Sequence, residues 1–285
     1  MEEKDVNGNQ YYLPKDSKLR KSDDRREINL LHYIYAQKNL DEIRGSPEKV
    51  LALIDEFGRN KAFLMNVGTY KGKIVTDIIE EIKPQTMIEL GGYVGYSAIL
   101  FGNALRNIGG KRYYSLERNP ECAAVATMLV DLAGLRDIVT ILVGNSDVVL
   151  HKLCTSGTLT KIELMFLDHF KAAYVTDLKL CEQLKMIVPG TVVAADNVII
   201  PGNPVYLEYV RSSVPAKREM AQNPSSGYKI FSPQIISWYA NKEEKPTFDA
   251  VGNPNLVYET RLFESIEPTG EIDGVEVTRC VGIEE

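Results

Sequence analysis

No stretch of the chain reaches the roughly 20 uncharged residues needed to cross a bilayer, and the first residues are charged where a secretion signal would be apolar. The expected protein is therefore soluble, and the expected compartment is the cytoplasm. The four cysteines, Cys122, Cys154, Cys181 and Cys280, form neither a CxxC pair nor a metal-finger spacing. They read as isolated reduced thiols used in packing, so zinc and a disulfide framework are both disfavoured. A basic excess is lacking too: 33 Lys and Arg face 39 Asp and Glu, a formal net charge of -6. Without a local Lys/Arg run, no field is available to hold a nucleic-acid backbone. Internal repeats and low-complexity tracts are absent, and Trp238 is the one tryptophan.

What remains is an ordinary globular composition, 44% hydrophobic over 285 residues, enough for one large core. Residues 1–26 are charged, poor in large apolar groups and aperiodic, which predicts a flexible tail. Residues 27–285 then form a single domain. Ile28, Leu30, Leu31 and Ile34, and later Val50, Leu51, Ile54 and Phe57, recur at helical spacing, with Ser46-Pro47-Glu48 as an N-cap and first turn. Two helices are thus expected before the sheet.

From Thr86 the chain alternates short apolar runs with amphipathic segments of helix length, the pattern of a parallel sheet covered on both faces. Strands are expected at Met87–Leu90, Tyr113–Glu117, Val139–Val143, Leu164–Leu167 and Thr191–Ala195, with helices near 95–107, 120–134, 146–154 and 171–186. At about 214–254, Pro215, Pro224, Pro233, Pro246 and Pro254 interrupt the pattern, marking an insertion. Within it Ile235–Tyr239 is too apolar for a solvated loop, so part of it should pack. Asn255–Phe263 and Gly274–Val281 close the domain as an antiparallel pair.

The loop Glu89-Leu90-Gly91-Gly92-Tyr93-Val94-Gly95 follows a strand and opens a helix, which suits close backbone approach to a ligand at a helix N-terminus. Its ExGxxxG spacing departs from the GxGxxG of dinucleotide folds. An acid at its head disfavours a diphosphate and suits a cationic sulfonium bearing an ammonium group. Glu117, closing the second strand, is placed to accept from a ribose diol. A bare strand-to-helix turn and an exposed strand-end Glu are the plain alternatives.

Asp168 and Asp196 end successive strands, so their carboxylates converge where parallel sheets bind ligands. With the amide oxygen of Asn197 they offer three hard oxygen ligands, which suit magnesium. His169 beside them packs or hydrogen-bonds. Lys171 is a poor base at its reference pKa near 10.4, but a divalent ion acidifies a bound hydroxyl and makes the proton transferable. Taken alone, Asp196-Asn197 would read as a turn; the equivalent position of Asp168 and the nearby Lys171 argue otherwise.

Met65-Asn66-Val67-Gly68, Lys71-Gly72, Glu89-Leu90-Gly91, Gly95-Tyr96-Ser97, Phe166-Leu167-Asp168-His169, Lys171 and Ala195-Asp196-Asn197-Val198-Ile199-Ile200-Pro201-Gly202 together resemble the catechol O-methyltransferase family. The resemblance spans about residues 28–213. It implies a Rossmann-like class I methyltransferase fold: a doubly wound, mostly parallel seven-stranded sheet with helices on both faces and an antiparallel last strand. It further implies that Val67, Glu89, Gly91, Tyr93, Tyr96, Ser97, Glu117, Ser146, Asp168, His169 and Phe170 surround S-adenosylmethionine, while Asp168, Asp196 and Asn197 carry Mg2+. A catechol would lie among Phe63, Met65, Lys171, Asn197, Pro201 and Glu267, with Lys171 as the base. Phe63 and Phe170 replace tryptophans common in the family, and Leu64 replaces a smaller alanine. Glu267 is aligned through Asp273-Gly274, and Glu264 is the alternative.

The implied activity is magnesium-dependent methyl transfer to one hydroxyl of a small catechol, by a monomer or weak homodimer. A caffeoyl-type or other vicinal-diol substrate uses the same chelating chemistry. An NAD-dependent oxidoreductase shares the fold but is opposed by the missing GxGxxG.

Overall fold

A computed structural model describes residues 4, 8, 10–13, 25–222, 247–248 and 250–285. Four helices precede the sheet: α1 (Arg26–Tyr35), the single turn α2 (Leu40–Ile43), α3 (Pro47–Asn60) and α4 (Gly68–Ile82). The two expected helices are α1 and α3. Ser46 caps α3 by accepting from Lys49 N–H at 3.3 Å, with Pro47 in the first turn. α4 was not expected, because Gly68, Lys71 and Gly72 break its apolar stripe. All three are buried.

The strands are β1 (Thr86–Leu90), β2 (Arg112–Glu117), β3 (Val139–Val143), β4 (Leu164–Leu167), β5 (Val192–Ala195), β6 (Leu256–Ile266) and β7 (Ile272–Ile283). Between them run α5 (Tyr96–Asn107), α6 (Pro120–Leu132), α7 (Ser146–Thr155), α8 (Tyr174–Gln183), α9 (Pro204–Arg211) and α10 (Val214–Gln222). They form one seven-stranded sheet in the order β3-β2-β1-β4-β5-β7-β6. β1 to β5 pair parallel, and β7 runs antiparallel between β5 and β6. The expected fold, mostly parallel with an antiparallel last strand, is the one observed.

Alternation along each strand divides the core. Met87, Tyr113, Phe166 and Ala194 face the layer containing α1 and α3 to α6, whereas Ile88, Leu116, Met165 and Ala195 face α7 to α9. Strand order reverses between β1 and β4, so the loops after these strands splay apart and open a crevice at their C-terminal ends. No helix among the described residues is long and apolar enough to cross a membrane. The four cysteines are free.

Of the expected insertion, α10 occupies the first part and residues 223–246, with Trp238 and Ile235–Tyr239, lie outside the described residues. Both flanks are fastened to the domain. Lys217 of α10 donates to the Leu256 carbonyl, and buried Glu182 accepts from Tyr209 Oη at 2.6 Å, Tyr258 Oη at 2.5 Å and Asn253 N–H at 2.9 Å. Within the expected tail, Tyr12 is buried against α3.

Candidate active site

Leu90, Leu167 and Ala195 are in register across β1, β4 and β5. The next residues therefore emerge side by side: Asp168 N–H donates to Leu90 O and Asp196 N–H to Leu167 O, both at 2.9 Å. Gly91 lies so close to the end of β4 that an added Cβ would sit 2.3 Å from the Asp168 carbonyl oxygen. The glycine loop and the carboxylate cluster thus share one backbone contact.

Lys171, in a 3-10 turn directly after β4, is 2% exposed. Its Nζ donates to Asp168 Oδ1 at 2.9 Å and Tyr174 Oη at 2.7 Å, while its carbonyl accepts from Asn203 Nδ2 at 2.8 Å. Lys71 arrives from α4 and is wholly buried. Its Nζ donates to Glu267 at 2.9 Å and Asp273 at 2.8 Å, and lies 2.7 Å from Asp196 Oδ1 and 2.9 Å from Oδ2. Only the Oδ2 contact has hydrogen-bond geometry, so Oδ1 is left without a hydrogen bond. Burial alone would lower the Lys71 pKa, but the carboxylates of Asp196, Glu267 and Asp273 raise it above its usual value. Burial raises the Asp196 carboxyl, with Lys71 opposing the rise and Asp168 adding to it. For Asp273 burial also pulls upward, but Lys71 and the Ile200 and Gly274 N–H groups win and hold it at about 2.

Asn197 takes a left-handed backbone (φ 57°) that asparagine tolerates, and its Nδ2 donates to Glu267 Oε1 at 2.6 Å and Asp273 Oδ2 at 2.8 Å. Both amide protons being used, the oxygen of Asn197 remains as an acceptor. Four carboxylates, Asp168, Asp196, Glu267 and Asp273, thus surround two ammonium groups and leave a formal excess of two negative charges. Burying such an excess is costly. Asp196 Oδ1, ion-paired with Lys71 but without a hydrogen bond, the Asn197 amide oxygen and the partly exposed Asp168 carboxylate fit in type a hard divalent cation such as magnesium. Among the described residues no group of three or more His, Cys, Asp or Glu is arranged to hold a metal ion.

The sequence pattern of the O-methyltransferase family matches residues 42–223, more than half of the chain. The chain belongs to this family. It is similar to catechol O-methyltransferase of Bos taurus, 39% identical over 171 residues that cover 60% of this chain and 62% of the relative. Catechol O-methyltransferase of Mus musculus is 41% identical over 169 residues, 59% and 63% of the two chains. This chain spans about three fifths of the length of these relatives. A solved O-methyltransferase from Bacillus cereus, in complex with SAH, superposes with TM-score 0.53 and 18% identity, covering 88% of this chain and 99% of its own. That likeness is one of fold.

Most of the residues singled out from the sequence stand at the C-terminal ends of β1, β2, β4 and β5 or in the loops and helix starts that follow them. Glu117 accepts Tyr93 N–H at 2.8 Å and Asn119 N–H at 2.7 Å, one bond at each carboxylate oxygen. Val67 and Ser97 are buried at the N-termini of α4 and α5, and Ser146 begins α7. Met65 is 57% exposed on the segment between α3 and α4, where the Phe63 carbonyl accepts from Arg26. Pro201 follows Ile199 and Ile200, whose N–H groups donate to Asp273 Oδ1. Glu267 is in the cluster, whereas Glu264 is exposed on β6. His169 bonds Asp177 at 2.8 Å and stacks on Tyr174, while Phe170 is half-buried ahead of the 3-10 turn. Tyr93 and Tyr96 turn their hydroxyls to Glu27 at 2.7 Å and Asp55 at 3.4 Å, toward α1 and α3. Lys71, Asp273, Tyr174 and Asn203 were not among the site residues expected from the sequence. A lysine between two glycines in a matched motif was the available signal for Lys71.

Glu89 sits inside β1 with no exposure; Ser115 Oγ donates to its Oε2 at 2.6 Å, and Oε1 has no hydrogen bond. Burial pushes its carboxyl to about 7, against the hydroxyls of Ser115 and Ser97. A carboxyl raised in the folded state binds more protons there than when unfolded, so ligand-free stability falls as pH climbs from about 4.5 to about 7. Glu89→Gln should remove that slope, worth about 3 kcal/mol at most. Urea unfolding of both proteins at pH 5 and pH 8 measures it, and parallel losses would refute the assignment.

Proposed function

We propose that the protein transfers the methyl group of S-adenosylmethionine to one hydroxyl of a small catechol-type substrate, with magnesium held by Asp168, Asp196 and Asn197. The observation that carries this reading is that Asp168 and Asp196 emerge side by side from β4 and β5, with Lys171 on Asp168 and the glycine loop against the Asp168 backbone. Family membership supports the methyl transfer, and the relatives named for catechol support the substrate class. Val67, Gly91, Ser97, Glu117 and Ser146 line the co-substrate side. The carboxylates of Glu89 and Asp168 favour its cationic end.

Bound magnesium supplies acidification of the substrate hydroxyl and a fixed orientation for it. Lys171 accepts the hydroxyl proton at Nζ. With the divalent cation bound beside it, Lys171 would first release its ammonium proton to solvent; the neutral amine keeps two N–H groups for Asp168 and Tyr174 and has the lone pair that takes the hydroxyl proton. The substrate oxygen bonds to the methyl carbon as the carbon–sulfur bond breaks, its electron pair staying on sulfur. Glu267, fixed by Lys71 and Asn197, is placed to accept from the second hydroxyl. Met65, Phe63 and Pro201 form apolar walls that hold the ring and exclude water.

Product analysis with S-adenosylmethionine and a panel of catechols, phenols and caffeoyl compounds tests the reading. Vicinal diols should be methylated and monophenols not. A chelator should reduce turnover by on the order of 100-fold or more, with recovery on adding magnesium. Full activity in the chelator would overturn the metal assignment.

A further inference from the structure

Residues 10–13 run across the outer side of the Glu267 turn, and Tyr12 anchors them. Its ring, 6% exposed, fills the space beside Gly58 of α3, where an added Cβ would meet ring carbons at 2.4–2.7 Å. Tyr12 Oη donates to Asp55 Oδ1 at 2.5 Å and accepts a long bond from Asn66 Nδ2 at 3.4 Å. Its N–H donates to the Pro268 carbonyl at 2.8 Å, and Leu13 N–H donates to Gly58 O at 3.1 Å. Tyr11 covers Gly270, and Pro268 in turn covers Gly68 at the start of α4.

One tyrosine therefore touches both segments that flank the proposed substrate. Asn66 lies between Met65 and Val67, and Pro268 adjoins Glu267. A narrow cleft between these residues and the body is lined by Tyr12, Asp55, Arg59, Thr69 and Glu267. The Glu267 carboxylate is gripped from inside by Lys71 and Asn197; its backbone turn, closed by Gly270 N–H to Glu267 O at 2.8 Å, is gripped from outside by Tyr12.

We infer that residues 10–13 are a strap and that Tyr12 is a positioning residue, holding the Glu267 turn and the Met65–Val67 segment at the spacing the substrate requires. The inference rests on the reading of Glu267 as a substrate-side carboxylate. A loose strap leaves most of the co-substrate side in place, since Gly91 and Glu117 stand at the ends of β1 and β2 and Ser146 at the start of α7, while on that side Val67 alone shares a segment with Asn66. Its loss should appear in substrate affinity before anything else.

The test compares the full chain with Tyr12→Ala, Tyr12→Phe and Gly58→Ala. The last places a methyl in the ring's seat from a different element, while alanine itself favours the helix. With 4-nitrocatechol, magnesium and S-adenosylmethionine, Tyr12→Ala and Gly58→Ala, which remove both the ring's packing and its hydroxyl bonds, should raise KM roughly ten-fold. Turnover number and calorimetric S-adenosylmethionine affinity should stay within about two-fold, and Tyr12→Phe, which keeps the ring beside Gly58 but loses the hydroxyl bonds to Asp55 and Asn66, should lie between. Amide hydrogen exchange should accelerate at 266–271 and stay unchanged in β1, β4 and β5.

An active wild type with unchanged KM in both variants would overturn the strap. Equal losses of KM, turnover number and S-adenosylmethionine affinity, with faster exchange throughout, would reduce it to general stability and overturn it as well. A wild type that does not methylate 4-nitrocatechol would count against the proposed function. The exchange pattern then decides the strap alone: acceleration confined to 266–271 supports it, and none there refutes it.

Discussion

Lys171→Ala should lower turnover by about 1,000-fold, within the range a positioned general base contributes, while calorimetric S-adenosylmethionine binding stays within about two-fold. The side chain is 2% exposed and held in one position between Asp168 and Tyr174. Co-substrate binding should survive because the glycine loop packs on the backbone of Asp168, which the substitution leaves in place. Lys171→Arg separates charge from proton transfer: it preserves the cation beside Asp168 but cannot act as a base at neutral pH, so it should be nearly as inactive. Single-turnover rates with a catechol measure both variants. Turnover within ten-fold of wild type in either would remove Lys171 from the proton's path.

Gly91→Ala should abolish co-substrate binding, by on the order of 100-fold, and destabilise the fold by about 2–4 kcal/mol. Two effects add. The residue sits at φ 98°, which side chains rarely adopt, and its Cβ would meet the Asp168 carbonyl carbon and oxygen at 2.6 and 2.3 Å. Backbone at a strand end cannot rotate aside as a flexible side chain could, so β4 or the loop must move, and either movement displaces Asp168. Gly109→Ala is the control. It also has positive φ, 84°, but nothing lies within 4 Å of its added Cβ, so it should cost only about 1 kcal/mol and leave binding unchanged. Denaturant unfolding and calorimetry read both. Equal effects at the two sites would mean that the close approach of Gly91 to Asp168 has no functional weight.

The fold and half of the site could be read in advance for different reasons. β1 to β5 are short apolar runs bounded by amphipathic helices, and their alternation onto two faces is a local property of the chain. Asp168 and Asp196 followed from the same pattern, because parallel strands in register bring equivalent ends together. α4 was hidden, since a buried lysine and two glycines within its first turns read as polar interruptions. Tyr12 was hidden likewise, lying in a charged stretch without periodicity.

The sequence by itself determined the parallel core, the placement of the glycine loop after β1 and the meeting of Asp168, Lys171, Asp196 and Asn197. Each depends on neighbours along the chain or on strand register. Only the tertiary structure decided the rest. Lys71 meets partners 125, 196 and 202 positions away, and the β6–β7 hairpin directs the Glu267 carboxylate to Lys71 while it leaves Glu264 exposed. A buried charge is tolerated where opposite charges converge on it, and such convergence across the whole domain leaves no periodic trace in the chain.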